Sequence, residues 1–227
     1  LERLKDPDMP GLMSEEAEKL IKIGNTRDHF QELEDCDWIA EAVVERLDIK
    51  QSLYQRLNES CKEATIITSN TSTIPISLLT KGMPKKFCER FAITHFFNPV
   101  RFMRLLELVR GEFTRDDVIN TLDLFSETML GKGVVSCSDT PGFLANRVGV
   151  FAIQCALHKA FEYKLSPTEA DAFFGRPLGL PKTGVFGLYD LVGIDLMADV
   201  VKSLVSILPE NDVFHKYSSP IEIMTDM

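Results

Sequence analysis

A histidine and a glutamate twelve positions apart, His95 and Glu107, each lie in an apolar run that reads as a β-strand, Phe91 to His95 and Leu105 to Val109. The connection between the runs turns on Asn98-Pro99, so the two segments are neighbours. A carboxylate beside an imidazole fixes the ring tautomer and stabilises the imidazolium formed when the ring takes a proton. Oxidation of an alcohol by hydride transfer needs that arrangement. His95 would accept the hydroxyl proton as hydride leaves the same carbon, and in reverse would polarise a carbonyl. Ser72, at the end of the run Ser69-Asn70-Thr71-Ser72, and Asn146 could hold the substrate oxygen. Residue type alone leaves alternatives open: a strand-end histidine can be a satisfied core residue, Glu107 an edge charge, and the Ser/Asn/Thr run a turn bonded to its own backbone. Other chemistries find no motif. The sequence has no H-E-x-x-H, G-x-S-x-G or P-loop. His29, His158 and His215 are scattered with no cysteine or carboxylate at metal-ligand spacing, so no metal is expected.

The elements that must position these groups follow from hydrophobic pattern. Asp37 to Val44 reads as a buried strand running into Glu45, and Ile49, Leu53, Tyr54 and Leu57 recur at helical spacing behind it. Thr65 to Thr68 is a second strand, ended by the polar cluster before Pro75. After the two strands around His95 and Glu107, Thr114 with Asp117 resembles a capping box, and Val118, Leu122, Phe125 and Met129 continue as one apolar face. Val134 to Cys137 is the last strand. Upstream, Ser14 can cap a helix over Glu15 to Ile23 that stops at Gly24-Asn25. Strands alternating with helices imply α/β architecture with a parallel or mostly parallel sheet. Ligands of such sheets sit outside the carboxyl ends of the strands, where Glu45, Ser69 to Ser72 and His95 fall.

From Asp139 onward everything reads as helix and turn. Phe143 to Glu162 is a long apolar stretch, Ser166-Pro167-Thr168-Glu169 is a strong helix start, a Gly/Pro-rich loop spans Gly175 to Gly187, and a last helix runs around Ile194 to Leu208. The reading is therefore two domains, 1–138 and 139–227.

Composition narrows the function class. With 25 Lys+Arg against 34 Asp+Glu the formal charge is −9, which argues against nucleic acid as the main partner. The hydrophobic fraction of 44% and charged fraction of 26% are those of an ordinary globular chain. No apolar stretch approaches the ~20 residues of a membrane-spanning helix. The cysteines Cys36, Cys61, Cys88, Cys137 and Cys155 are odd in number and widely spaced with no C-x-x-C, which suits a reducing cytoplasm better than a disulfide framework or a zinc site. The first residues are acidic and have no apolar core like that of a secretory signal. They also open without Met on a charged helical fragment, so part of the native N-terminus is expected to lie before Leu1.

Five segments carry a family resemblance: Glu41-Ala42-Val43-Val44-Glu45-Arg46-Leu47-Asp48-Ile49-Lys50, Ser69-Asn70-Thr71-Ser72, His95-Phe96-Phe97-Asn98-Pro99-Val100, Leu106-Glu107-Leu108-Val109, and Asp139-Thr140-Pro141-Gly142-Phe143 with Asn146-Arg147. In order and spacing the chain resembles the L-3-hydroxyacyl-CoA dehydrogenases of fatty-acid β-oxidation. Leu130-Gly131-Lys132-Gly133-Val134-Val135 and the Gly175-Arg176-Pro177 loop look closest to bacterial multifunctional proteins that carry a hydratase region after the dehydrogenase.

The resemblance implies an N-terminally truncated Rossmann-like parallel sheet domain followed by an all-helical domain, NAD as cofactor and an acyl-CoA as substrate. It makes His95 the base, Glu107 its partner, Ser72 and Asn146 substrate-side groups, and Glu45, Lys50, Ser72 and Asn98 cofactor contacts. The family's Gly-rich G-x-G-x-x-G turn is absent from these 227 residues, so the chain by itself is expected to bind NAD weakly or not at all. Arg101, Arg104, Arg110, Lys85 and Lys86 are candidates for the phosphates of CoA. Two alternatives remain: a dehydrogenase of a free 3-hydroxy acid, and an assembly module whose helical half forms a homodimer or contacts further domains.

Overall fold

The computed structural model describes residues 2–5, 11–12, 14–179 and 182–218. The chain separates into two compact units, Leu1–Thr71 with Ile76–Ser136, and Ser72–Pro75 with Cys137–Met227.

In the first unit the strands β1 (Trp38–Glu41), β2 (Ile66–Ser69), β3 (Phe91–Phe96), β4 (Leu105–Arg110) and β5 (Gly133–Cys137) form one sheet in sequence order. β1, β2 and β3 are parallel, with Glu41 beside Ser69 and Ser69 beside Ile93, so their carboxyl ends share one edge. The sheet is mostly parallel, as expected, with β4 antiparallel to β3. The physical reason is length: residues 97–104 are too few for the crossover of a dozen or more residues that a parallel pair needs. Antiparallel register sets His95 directly opposite Glu107.

Successive residues of β3 point to opposite faces, and each face is covered by helices. Phe91 packs in an aromatic cluster with Tyr54 of α1 (Leu47–Ser60) and with Phe87, ring centroids 5.1 and 5.5 Å away. After α2 (Ile76–Leu79) and α3 (Lys85–Glu89), the helix α4 (Asp116–Thr128) sets Val118 and Leu122 against Ala92 and Leu108 on the other face. Fully burying one such side chain is worth about 1.5–3 kcal/mol.

Several local expectations are revised. β1 stops at Glu41 rather than Val44, because the Glu41 carboxylate accepts the Val43 N–H at 2.6 Å and turns the backbone out of the ladder. The upstream helix is a 3-10 turn, Glu15–Leu20, shorter than the expected span, although Ser14 caps it. Thr114 does not cap α4. Its hydroxyl donates to the Phe91 carbonyl at 2.6 Å and accepts the Gly111 N–H at 3.0 Å, tying β3 to the end of β4, and Arg115 takes the N-cap position. Phe125 and Met129 are exposed, because the buried stripe of α4 runs through Ser126 instead.

The second unit holds α5 (Ala145–Glu162), α6 (Pro167–Phe173), α7 (Phe186–Val192) and α8 (Ile194–Ile207). The capping box at Ser166 and Glu169 forms in full. Two clusters bury its apolar faces, one of Ala156, Leu157, Val185, Tyr189 and Met197 and one of Val150, Leu204 and Phe214. Asp171 caps α7 from a distance, accepting the N–H groups of Val185 and Phe186 at 2.7 Å and of Gly187 at 3.0 Å. Gly184 carries φ +67° against the Asp171 backbone, where a Cβ would meet heavy atoms at 2.6 Å. Among the described residues no helix is long and apolar enough to cross a membrane.

Replacing Asp171 by Ala leaves three helix-start donors without this acceptor, so the unfolding free energy falls by about 1–3 kcal/mol. Urea denaturation measures it; an unchanged midpoint at constant slope removes Asp171 from the set of structural caps.

Candidate active site

His95, at the end of β3, and Glu107, on β4, are both buried, and His95 Nδ1 lies 2.7 Å from Glu107 Oε2. With the Nδ1 proton directed at the carboxylate, Nε2 is the ring nitrogen that carries the lone pair. A buried carboxylate next to the ring stabilises positive charge that develops on it.

A second buried carboxylate lies at the end of β1. Glu41 Oε1 accepts from the Val43 N–H at 2.6 Å and Lys50 Nζ at 2.8 Å, and Oε2 accepts from Tyr54 OH at 2.6 Å and Ser69 Oγ at 2.7 Å. Burial alone would raise the pKa of this group. The hydrogen bonds from Lys50, Tyr54 and Ser69 outweigh burial and hold the carboxyl below its ordinary 4.5. Burial and the adjacent Glu41 push the Tyr54 phenol far upward, so it stays a neutral donor.

Lys50 also reaches Glu45 Oε2 at 3.2 Å, and the Thr71 hydroxyl donates to Glu45 Oε1. The Lys50 side chain is 1% exposed and that of Glu45 is 40% exposed. Asn70 links this cluster to β3: its N–H donates to the Glu41 carbonyl at 2.7 Å and its side-chain oxygen accepts the Phe96 N–H at 2.8 Å.

Asn98 is exposed on the connection between β3 and β4. Lys132, buried just before β5, gathers that connection by donating to the Met103 carbonyl at 2.8 Å and to the Val100 carbonyl. Burial lowers its pKa below the usual lysine range.

The structure thus brings His95 to Glu107 and Glu45 to Lys50. Ser72 and Asn146 belong to the second unit, each half-buried, Asn146 in the first turn of α5. Of the basic residues considered for CoA phosphates, Lys85, Lys86 and Arg110 are paired with Glu89, Glu63 and Asp116 at 3.9, 2.7 and 2.5 Å. Arg101 donates to the Leu12 carbonyl at 2.8 Å. His158 and His215 each lie at hydrogen-bond distance from a backbone carbonyl, that of Tyr217 at 3.0 Å and that of Pro209 at 2.9 Å.

Sequence reasoning passed over Glu41, Tyr54, Ser69, Asn70 and Lys132 as functional groups. The available signal was Glu41 itself, an acid inside the apolar run from Trp38 to Val44. An acid in such a run is buried and must find donors.

The residues present fit one half of a dinucleotide. An exposed carboxylate held at the shared strand edge suits the nicotinamide end, whereas the β1–α1 connection has no glycine-rich turn to cradle a pyrophosphate.

A Rossmann-like sheet with polar groups at its strand ends, accompanied by a helical unit, is an architecture that suits a nucleotide-dependent dehydrogenase. The particular family follows from comparison with known proteins. Residues 2–140 match the family model described as 3-hydroxyacyl-CoA dehydrogenase, NAD binding domain, and residues 142–225 match that of the C-terminal domain. The chain belongs to the 3-hydroxyacyl-CoA dehydrogenase family. It is 43% identical over 207 residues to a Rickettsia prowazekii protein named as the trifunctional enzyme of a fatty acid oxidation complex, covering 91% of this chain and 29% of that protein. Against the mitochondrial hydroxyacyl-coenzyme A dehydrogenase of Rattus norvegicus the identity is 34%, covering 90% of this chain and 64% of the relative. The crystal structure of 3-hydroxybutyryl-CoA dehydrogenase from Escherichia coli K12 superposes with a TM-score of 0.76 at 30% identity, covering 95% of this chain and 44% of that one. The chain therefore spans less than a third of the Rickettsia relative and under two thirds of the rat enzyme.

The lowered pKa of Glu41 has a signed consequence for stability. The native group holds its proton less tightly than the unfolded one, so its contribution is complete above pH 4.5 and is lost as pH falls through the folded value. Glu41→Gln lowers the melting temperature at pH 7 and flattens its fall in acid, so the two curves converge below pH 4.5. Parallel melting curves between pH 7 and 3 would refute this.

Proposed function

We propose that the native protein oxidises an L-3-hydroxyacyl-CoA to the 3-oxoacyl-CoA in fatty-acid β-oxidation, with NAD as hydride acceptor. The observation that carries the reading is the buried His95–Glu107 pair at 2.7 Å, set by strand register. His95 Nε2 takes the proton of the 3-hydroxyl while the hydride leaves C3, and Glu107 stabilises the resulting imidazolium. In reverse, the imidazolium polarises the 3-oxo group and returns the proton. Ser72 and Asn146 take substrate-side roles through their match to the family motifs, and Glu45, Lys50, Ser72 and Asn98 take cofactor-side roles. NAD, when bound, supplies the electrophilic ring that receives the hydride. The names of the Rickettsia relatives support placing this chain as the dehydrogenase portion of a larger enzyme, which we assign to the cytoplasm.

Two domains, 1–138 for cofactor and 139–227 for the helical part, complete the reading. The helical part contacts a second copy of the chain or further domains of the native protein, and its apolar groove of about 570 Å³, lined by residues that include Val148, Phe151, Phe174, Leu178 and Leu188, is a surface open to either.

Two measurements test these assignments on the native-length polypeptide. In NADH-dependent reduction of acetoacetyl-CoA the parent turns over, and His95→Gln loses on the order of 10²- to 10⁴-fold in kcat, the contribution of a positioned acid–base group. An inactive parent shifts the substrate to a free 3-hydroxy acid or the role to assembly, and an active His95→Gln removes His95 as the base. For contact with a second copy, light scattering gives twice the monomer mass, falling to one with Leu178→Glu; a monomeric parent refutes the dimer and leaves the further domains.

A further inference from the structure

Glu41, Lys50 and Glu45 form a chain of contacts from the core to the surface. Glu41 and Lys50 side chains are each 1% exposed and 2.8 Å apart, whereas Glu45, 3.2 Å from Lys50, is the exposed member. An ammonium has three N–H donors. Lys50 Nζ has three acceptors in reach, Glu41 Oε1, Glu45 Oε2 and the Val43 carbonyl at 3.4 Å. Its whole donor set is used inside the protein. The charges are equally specific: two carboxylates and one ammonium make a neutral buried pair and leave one negative charge on Glu45, at the shared edge of three parallel strands.

We infer that Glu41 is a positioning residue for cofactor binding: it fixes Lys50, Lys50 together with Thr71 fixes Glu45, and Glu45 alone of the three meets the ligand. This rests on the reading above that Glu45 faces the cofactor, and it gives Lys50 an indirect role. Glu41 is held by four donors from β1, α1 and β2, so its own position is over-determined. Lys50 lies in the first turn of α1, where the helix dipole disfavours a cation, and the two carboxylates are what make that position stable. Without Glu41 the ammonium would lose its buried counter-charge and leave its place, and Glu45 would lose its anchor. The ligand chemistry suited to the remaining negative charge is a cationic aromatic ring or sugar hydroxyls, which a nicotinamide nucleoside supplies.

The test is direct binding of NADH and NAD to the native-length polypeptide, by fluorescence and calorimetry, for Glu45→Gln, Glu41→Gln and the double variant. Each single variant weakens binding by about tenfold, the worth of one charge-assisted hydrogen bond. The double variant binds no more weakly than the poorer single one, because both act through Glu45. The KM for NAD rises accordingly, and kcat at saturating cofactor falls far less.

Tyr54→Phe removes one donor to Glu41 and keeps both charges. It shows the same non-additivity with Glu45→Gln at smaller size, and covers the case in which Glu41→Gln does not fold. Parent-like cofactor affinity in Glu41→Gln or, failing its folding, in Tyr54→Phe, or additive effects with Glu45→Gln, overturns the inference and leaves Glu41 structural. Parent-like affinity in Glu45→Gln overturns both the inference and the cofactor-side role of Glu45. Cofactor binding as expected in a parent that does not reduce acetoacetyl-CoA upholds the inference and overturns the substrate assignment.

Discussion

A carboxylate removed from water must be surrounded by donors, and the burial of Glu41 imposes that requirement on the carboxyl end of β1. No single element can meet it. The donors come from the backbone just beyond the strand, from Lys50 and Tyr54 one helical turn apart on α1, and from Ser69 at the end of β2. For both α1 residues to reach one carboxylate, the chain must fold back at once after Glu41 and start the helix over the strand ends. That return places Glu45 in the connection, beside Lys50 and Thr71. The desolvation cost of such a carboxylate is several kcal/mol, so the cluster is weak evidence of net stability. It is strong evidence of a fixed geometry, because few arrangements satisfy all the partners together.

The reversal of direction at β4 is the other constraint. Parallel strands β1 to β3 bring their polar ends to one edge, and the short connection after β3 returns the chain antiparallel, which faces Glu107 to His95. Asn70 joins the two arrangements by bonding the Glu41 carbonyl on one side and the Phe96 N–H on the other. The ends of three strands are thereby one hydrogen-bonded assembly. On the far side of β3, Trp38, Thr68 and Thr94 form a second short chain, with Thr68 Oγ1 2.9 Å from the indole nitrogen and 2.8 Å from Thr94 Oγ1. Polar contacts on both faces keep β3 in register.

How much of this the residues announce depends on whether the signal is local. The strands, the capping box at Ser166 and the meeting of His95 with Glu107 were legible, because apolar runs, caps and a short connection act within a few residues. Glu41 was not, because its partners lie 9, 13 and 28 positions away and only the fold assembles them. The antiparallel β4 follows from loop length, within the mostly parallel sheet that the alternation of strands and helices implies. Thr114 looked like a cap because the pattern of a capping box does not reveal that a strand carbonyl competes for the same hydroxyl. The stripe on α4 failed at its far end, where Phe125 and Met129 continue the period beyond the edge of the sheet they were expected to cover.

The two buried carboxylates solve the same problem in different ways. Each holds in place a second group that the proposed chemistry presents to a ligand: Glu107 acts on an imidazole ring, and Glu41 acts through a cation on another carboxylate. A free surface side chain loses rotamer freedom when a ligand arrives, and that loss subtracts from affinity. A group locked beforehand by buried partners has already lost it during folding, where the core supplies the compensating energy. The proposed base must be able to gain a charge, which a carboxylate beside the ring favours. For Glu45 a standing charge matters, and the ammonium between it and Glu41 keeps two acids close enough to share one anchor while only one of them faces solvent. The division explains why one carboxylate is paired with a titratable ring and the other with a lysine that has no water to exchange with.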